Sequence, residues 1–264
     1  MLWRWWTRFV QRPDPIPEPL WLTLLDRAPL LRGLDDTRRA SLRGLARTFL
    51  ERKTITPVQG LELDAVDRLA LAAHACLPLL RFGAGGLDGW SQVIVHPGAF
   101  RVEHGRHGSP HEFDALDVVD EGFDEREGES WQYGPLVLSW ADLIREIEAP
   151  EAGFQLVVHE MAHKLDALDG AMDGTPPLPR DWQRQWAIDF GEAFDALNAA
   201  IDDDPDAEPV IDSYAAEAPE EFFAVTSEYH FTAPGRLREA MPKVAAHLQR
   251  LYGAPPQPPE SLSG

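Results

Sequence analysis

The stretch FQLVVHEMAHKLDALDG, residues 154–170, admits few folds, because its apolar spacing asks for a buried helix that also carries three polar side chains. Phe154, Leu156, Val157 and Val158 lead in, and Leu165 and Leu168 extend the same stripe. Positions four apart on an α-helix differ by about 40° in azimuth and about 6 Å along the axis. His159 and His163 therefore stack on one face, where both imidazoles can converge on one ion. Desolvating them, with Glu160 beside them, is costly unless something binds them. The plain alternative is three partly exposed residues on a helix edge, and the HExxH pattern alone does not decide between the two.

If the ion is zinc, imidazole nitrogens bind it at about 2.0–2.1 Å, and a catalytic site takes three protein ligands and leaves one position for water. Glu160 is placed to lean toward that water and take its proton. A third ligand is then required. In the pattern HExxHxxGxxH the last ligand returns to the ion through a glycine turn, but here those two positions are Asp166 and Asp169. Aspartate adopts that backbone much less readily than glycine, so Asp169 is a weak third ligand. Asp166 is better suited to accept a hydrogen bond from a ligand imidazole. The distant candidates are Glu220, Glu221 and Glu228, on a helix opening at Pro219 with acids in its first turn. Phe222, Val225 and Tyr229 form one stripe, which leaves Glu221 and Glu228 on an adjoining face and favours them slightly over Glu220.

Composition narrows the partners. The chain has 264 residues, 44% of them hydrophobic, enough for a substantial core. Its formal charge of −20 repels phosphate backbones and anionic lipid headgroups, so no nucleic acid ligand is expected. The single cysteine, Cys76, lies in an apolar run, reads as a buried small hydrophobe and fits a reducing compartment. MLWRWWTRFVQR at the N-terminus is interrupted by arginines and too short for a signal-peptide core. No run approaches the roughly 20 apolar residues of a membrane span, and a cytoplasmic protein is expected. Trp3, Trp5 and Trp6 read as a strap packed on the domain, with a weak interfacial anchor as the alternative.

Along the chain, residues 1–19 form a proline-rich lead-in, 20–253 a single domain, and 254–264 a tail expected to be disordered. The domain divides into a helical part, 20–85, and a part carrying the candidate site, 86–253. Helical spacing covers 20–34, 36–51, 64–80 with Asp64 as N-cap, 154–168, 180–200, 219–231 and 236–252. SQVIVHP at 91–97 and GPLVLSW at 134–140 read as two strands pairing antiparallel. The long polar segment between them has the length of a lid or insertion, and its His104, His107 and His111 lack a helix to aim them at a second metal.

Beyond these local readings, PVQGLELD at 57–64, GLDGWSQVIVHPGAF at 86–100, GPLVLSW, VVHEMAHKLD at 157–166 and IDSYAAEAPEEFFAVTSEYHF at 211–231 resemble the Mlc titration factor A family of zinc metallopeptidases. The likeness runs from about residue 17 to about residue 252. It implies an α+β, mostly helical, zincin-like fold with a small β-sheet and an HExxH active-site helix, gluzincin-like and related in its catalytic domain to anthrax lethal factor. It also implies one catalytic Zn2+ held by His159, His163 and Glu221, with Glu160 as general base and Tyr214, seven residues before Glu221, as oxyanion donor. The implied activity is peptide-bond hydrolysis, aminopeptidase-like on short peptides. The family further implies binding to a transcriptional repressor of sugar uptake, which no short motif here carries. Two other readings stand beside this one: a binding protein that titrates a regulator with zinc serving structure, and a helical domain without metal. One departure is visible. Val225 stands four residues after Glu221, where thermolysin-like enzymes place an aspartate, so the partner that orients His159 is open.

Overall fold

The computed structural model describes residues 16–98, 134–204 and 207–257. The three tryptophans near the N-terminus, the histidines at 104, 107 and 111, and the last seven residues lie outside them. The described residues form a mostly helical α+β architecture with one small sheet.

The first third is helical: α1 (Glu18–Arg27), α2 (Pro29–Arg32), α3 (Asp36–Arg52) and α4 (Ala65–Ala75). The helix expected over 20–34 is split at Ala28, because Pro29 disfavours helical backbone in the residue before it and suits a helix's first position. Asp35 caps α3 by accepting from the Arg38 N–H, and Asp64 and Asp67 cap α4 reciprocally. Helix α4 stops at Ala75, short of the expected 80, and Cys76 after it is fully buried.

Among the described residues the sheet has three strands in the order β1 (Thr54–Pro57), β2 (Gln92–His96) and β3 (Leu136–Ser139), and both pairings are parallel. Val93 faces Ile55 on one side and Leu136 on the other. The antiparallel pairing expected for the two strands is therefore wrong. Their long separation suits a crossover rather than a hairpin, and unbroken runs such as VIV and LVL belong to covered parallel strands. Strand β1 was not anticipated, being four residues long and ending on a proline. It is tied to the approach to β2 by Lys53, whose buried Nζ donates to the carbonyls of Leu87 and Trp90 and lies 3.5 Å above the Trp90 ring.

Helix α5 (Trp140–Glu148) follows β3 directly and was also unexpected, although Ser139 caps it by accepting from the Asp142 N–H at 3.2 Å. Then come α6 (Leu156–Asp166), α7 (Arg180–Asp203), α8 (Pro219–Thr232), α9 (Pro234–Ala240) and α10 (Pro242–Tyr252). Pro242 breaks the helix expected over 236–252 into two. The start of the tail is held rather than loose: Gln257 donates its N–H to the Gly33 carbonyl at 2.8 Å, and Pro256 is buried. Among the described residues no helix is long and apolar enough to cross a membrane. At the centre lies α6, buried from Val157 to Asp166 and packed against α8, α4, α5 and β3.

Candidate metal centre

Helix α6 carries HEMAH, yet its own sequence does not cap it: Gln155 supplies no capping side chain and the first turn has no acid. Two neighbouring helices do so instead. Glu228 of α8 accepts from the Gln155 N–H, and Glu146 of α5 accepts from the Leu156 N–H at 2.6 Å. On the facing helix α8, Pro219 takes the first position and Glu221 follows in the first turn. Just before it, a short 3-10 turn (Ser213–Ala216) holds Tyr214, whose N–H donates to Asp212 at 2.9 Å.

These elements bring His159, His163 and Glu221 together, all buried. His159 Nε2 lies 3.1 Å from His163 Nε2 and 3.1 Å from Glu221 Oε2, and His163 Nε2 lies 3.4 Å from the same oxygen. Tetrahedral ligands at zinc distances stand about 3.3 Å apart, so the triangle has the size of one face of such a site. Both oxygens of Glu221 are buried, and one of them, Oε2, faces both imidazole Nε2 atoms at once. Two imidazole nitrogens and one carboxylate are also a donor set that zinc favours.

The surrounding charges fit the chemistry. Burial acts against a charge on His159, but hydrogen bonds to Glu221 and Glu228, reinforced by the charges of Glu228 and Glu160, outweigh it and push the imidazole up to about 10 in the metal-free protein. Burial would raise the Glu221 carboxyl, but the two imidazoles hold it well below the usual carboxylate range. The Tyr214 ring centroid lies 6.0 Å from that of His159. Burial, then the negative charges of Glu221, Glu217 and Glu160, push its phenol well above the usual range, so it keeps its proton. Glu160 is buried, and its charge is felt at His159, Tyr214 and Lys164. Lys164 donates to the Gly134 carbonyl at 2.9 Å, which ties α6 to the approach to β3.

The other acids take different posts. Asp166 accepts from the Gly174 N–H at 2.7 Å, so it fastens the following loop rather than an imidazole. Asp169 is exposed and accepts from the Ala171 N–H at 3.2 Å, away from the triad. Glu220 stays outside the triad, while Glu228 accepts from His159 Nδ1 at 2.8 Å. That last contact is the partner the sequence reading left open. A glutamate seven residues after the candidate ligand was the available signal, since seven residues make nearly two whole turns.

The profile of the family described as Glucose-regulated metallo-peptidase M90 matches residues 2–253. The chain belongs to this family. The M90 chain is 34% identical over 255 residues to Mlc titration factor A of Escherichia fergusonii, covering 96% of this chain and 92% of that one. The relative of the same name from Cronobacter sakazakii is 33% identical with the same coverage. That from Serratia proteamaculans is 36% identical over 229 residues, 86% of this chain and 84% of the relative. A metallopeptidase family implies a metal, and the described residues of this M90 protein hold one group of side chains able to bind it, His159, His163 and Glu221. The fold is the mostly helical, zincin-like one that the resemblance implied.

Proposed function

We propose that the protein is a zinc-dependent peptidase in which His159, His163 and Glu221 hold one ion, Glu160 is the general base and Tyr214 donates to the oxyanion. The observation that carries this reading is the triangle of buried ligand atoms at 3.1–3.4 Å, two imidazole nitrogens and one carboxylate oxygen, which has the size of one face of a tetrahedral zinc site. Bound there, zinc polarises the scissile carbonyl and acidifies a water molecule. Glu160, next to the first ligand, removes the proton from the attacking water and passes it to the departing amine. The protonated Tyr214 donates its O–H to the oxygen that gains charge, an interaction stronger in the transition state than in the substrate. Among the described residues β3 ends the strand order, and an extended peptide can add to it by main-chain pairing. A structure with a bound substrate analogue lying elsewhere would remove that part. The substrates that fit the family are short peptides cleaved aminopeptidase-fashion in the cytoplasm.

The test is Glu160→Gln, with zinc content and hydrolysis of N-terminally free and blocked peptides measured in parallel. The expected result is full zinc occupancy with kcat lowered about 100- to 10,000-fold. A variant retaining both zinc and full activity overturns the mechanism. Preference for blocked peptides overturns the aminopeptidase assignment alone.

The relatives' name supports a second reading, in which the protein titrates a transcriptional repressor and zinc serves structure. Intact repressor binding by a triple variant at the three ligand positions, together with no hydrolysis by the wild type, would favour it.

A further inference from the structure

We propose that Glu228 is a positioning residue for the metal site, its two carboxylate oxygens dividing between His159 Nδ1–H and the Gln155 backbone N–H so that the His159 Nε2 lone pair is aimed at the ion. The proposal rests on the zinc reading above and adds a residue to it.

Three observations carry it. First, an ionised carboxylate can only accept, so the 2.8 Å contact between Glu228 Oε1 and His159 Nδ1 requires the proton on Nδ1. In the neutral imidazole that leaves Nε2 as the lone-pair nitrogen, the one facing His163 and Glu221. Second, Glu221 and Glu228 lie seven residues apart on α8, about 20° apart in azimuth and about 10.5 Å apart along the axis. The His159 ring sits between them, one nitrogen toward each. Third, the segment that leads into α6 is strapped to α8 at more than one point. Glu228 Oε2 accepts from Gln155 N–H, and Thr232 Oγ1 accepts from Gly153 N–H at 2.8 Å while donating to the Glu228 carbonyl at 2.8 Å. Gly153, at φ 83°, lets this approach happen, because a Cβ there would stand 2.3 Å from the Tyr229 ring. Glu228 thus links the start of the HEMAH helix, the orientation of its first histidine and the helix that supplies Glu221. A glutamine at 228 has one acceptor oxygen and an NH2 group, so it can serve only one of the two donors.

Glu146 supplies the control, since it caps the same helix one residue further on, accepting from the Leu156 N–H at 2.6 Å. Zinc affinity of the full-length protein is measured by chelator competition, with the absorption spectrum of the cobalt(II)-substituted protein recorded alongside. Glu228→Gln is expected to weaken zinc binding about 10- to 100-fold and shift the cobalt bands, while Glu146→Gln leaves both unchanged. Unaltered zinc affinity in Glu228→Gln, or equal weakening in the two variants, overturns the proposal and leaves Glu228 a helix cap. If Glu228→Gln does not fold, 15N NMR of the zinc-loaded wild type decides. Proton-bearing Nδ1 and metal-bound Nε2 at His159 are expected, and the reverse assignment overturns it. A wild type that binds no zinc overturns the zinc reading itself, and this proposal with it. A wild type that binds zinc and a Glu228→Gln that binds it equally well overturn only the proposal.

Discussion

Two buried clusters in this protein join a histidine on one helix to a carboxylate on another, and they differ in how many ligand-type atoms meet at one point. Between α7 and α10, Trp182 Nε1 donates to His247 Nδ1 at 2.6 Å and His247 Nε2 donates to Asp189 Oδ2 at 2.9 Å. Both ring nitrogens have partners, and Lys243 at 3.1 Å adds its charge to Asp189. Between α6 and α8, His159 has one nitrogen on Glu228, while the other faces both His163 Nε2 and Glu221 Oε2, at 3.1 Å each. Burial is similar in the two clusters, so burial does not mark the site. What marks it is convergence: each ring nitrogen of His247 meets a different partner, whereas three ligand-type atoms of His159, His163 and Glu221, carried on two helices, come together at one spot.

The largest expected effect separates the clusters by what each loses. His163→Ala should weaken zinc binding by roughly 1,000-fold or more, since one of the three proposed protein ligands is gone. His247→Ala should leave zinc binding alone but lower the unfolding free energy by about 3 kcal/mol, because Trp182 and Asp189 are left buried without their partner and a cavity opens between α7 and α10. Chelator competition and denaturant unfolding on both variants check this double dissociation. A zinc defect in His247→Ala would show that the two clusters are not independent.

This comparison also explains what the sequence could show. HExxH is a local pattern, and its four-residue spacing places His159 and His163 on one face whatever surrounds them. The proposed third ligand is not local. Helix-face reasoning brings Glu221 and Glu228 to the same side of α8, and in the structure both touch His159, one on each ring nitrogen. Their roles differ only through where α6 crosses α8, which periodicity does not contain; the family resemblance, carrying the Tyr214 to Glu221 spacing, is what separated them. The capped helix α5 was legible in Ser139 and Asp142, and the breaks at Pro29 and Pro242 in the prolines themselves. Parallel pairing of β2 with β3 was harder, because it depends on a crossover rather than on residues within either strand. The Trp182–His247–Asp189 network gave no signal, since His247 lies 65 residues from Trp182 and 58 from Asp189.

Metal removal gives a smaller effect, of intermediate size. If zinc binds only the folded protein, free zinc at 100 times its dissociation constant stabilises by about 2.7 kcal/mol. Thermal unfolding of the wild type with and without chelator should show that increment, His247→Ala should retain it on a lower baseline, and His163→Ala should lack it. An increment surviving in His163→Ala would place the metal elsewhere.

The smallest effect is in the pH dependence of stability, where carboxylates beside the two clusters act in opposite directions. Burial works to raise the Asp189 carboxyl, but hydrogen bonds from His247, Gln185 and Lys243, with the Lys243 charge, hold it at about 2. Its folded value lies below its unfolded one, so its contribution is present above about pH 4 and is lost as pH falls toward 2. Glu146, capping α6, is raised to about 7 by burial and by the charges of Glu228 and Asp142, against the opposing Leu156 N–H and Arg145. Its folded value lies above its unfolded one, so the contribution is full below about pH 4.5 and is lost as pH rises toward 7. Glu146→Gln keeps an acceptor for Leu156 without the charge, and should flatten the decline between pH 4.5 and 7, gaining on the order of 1 kcal/mol over the wild type at pH 8. Denaturant midpoints across pH check both limbs: an unchanged upper limb in Glu146→Gln would mean that the α6 terminus already accommodates this charge. The buried acids at the metal-side helix would then differ from Asp189 in partner but not in cost.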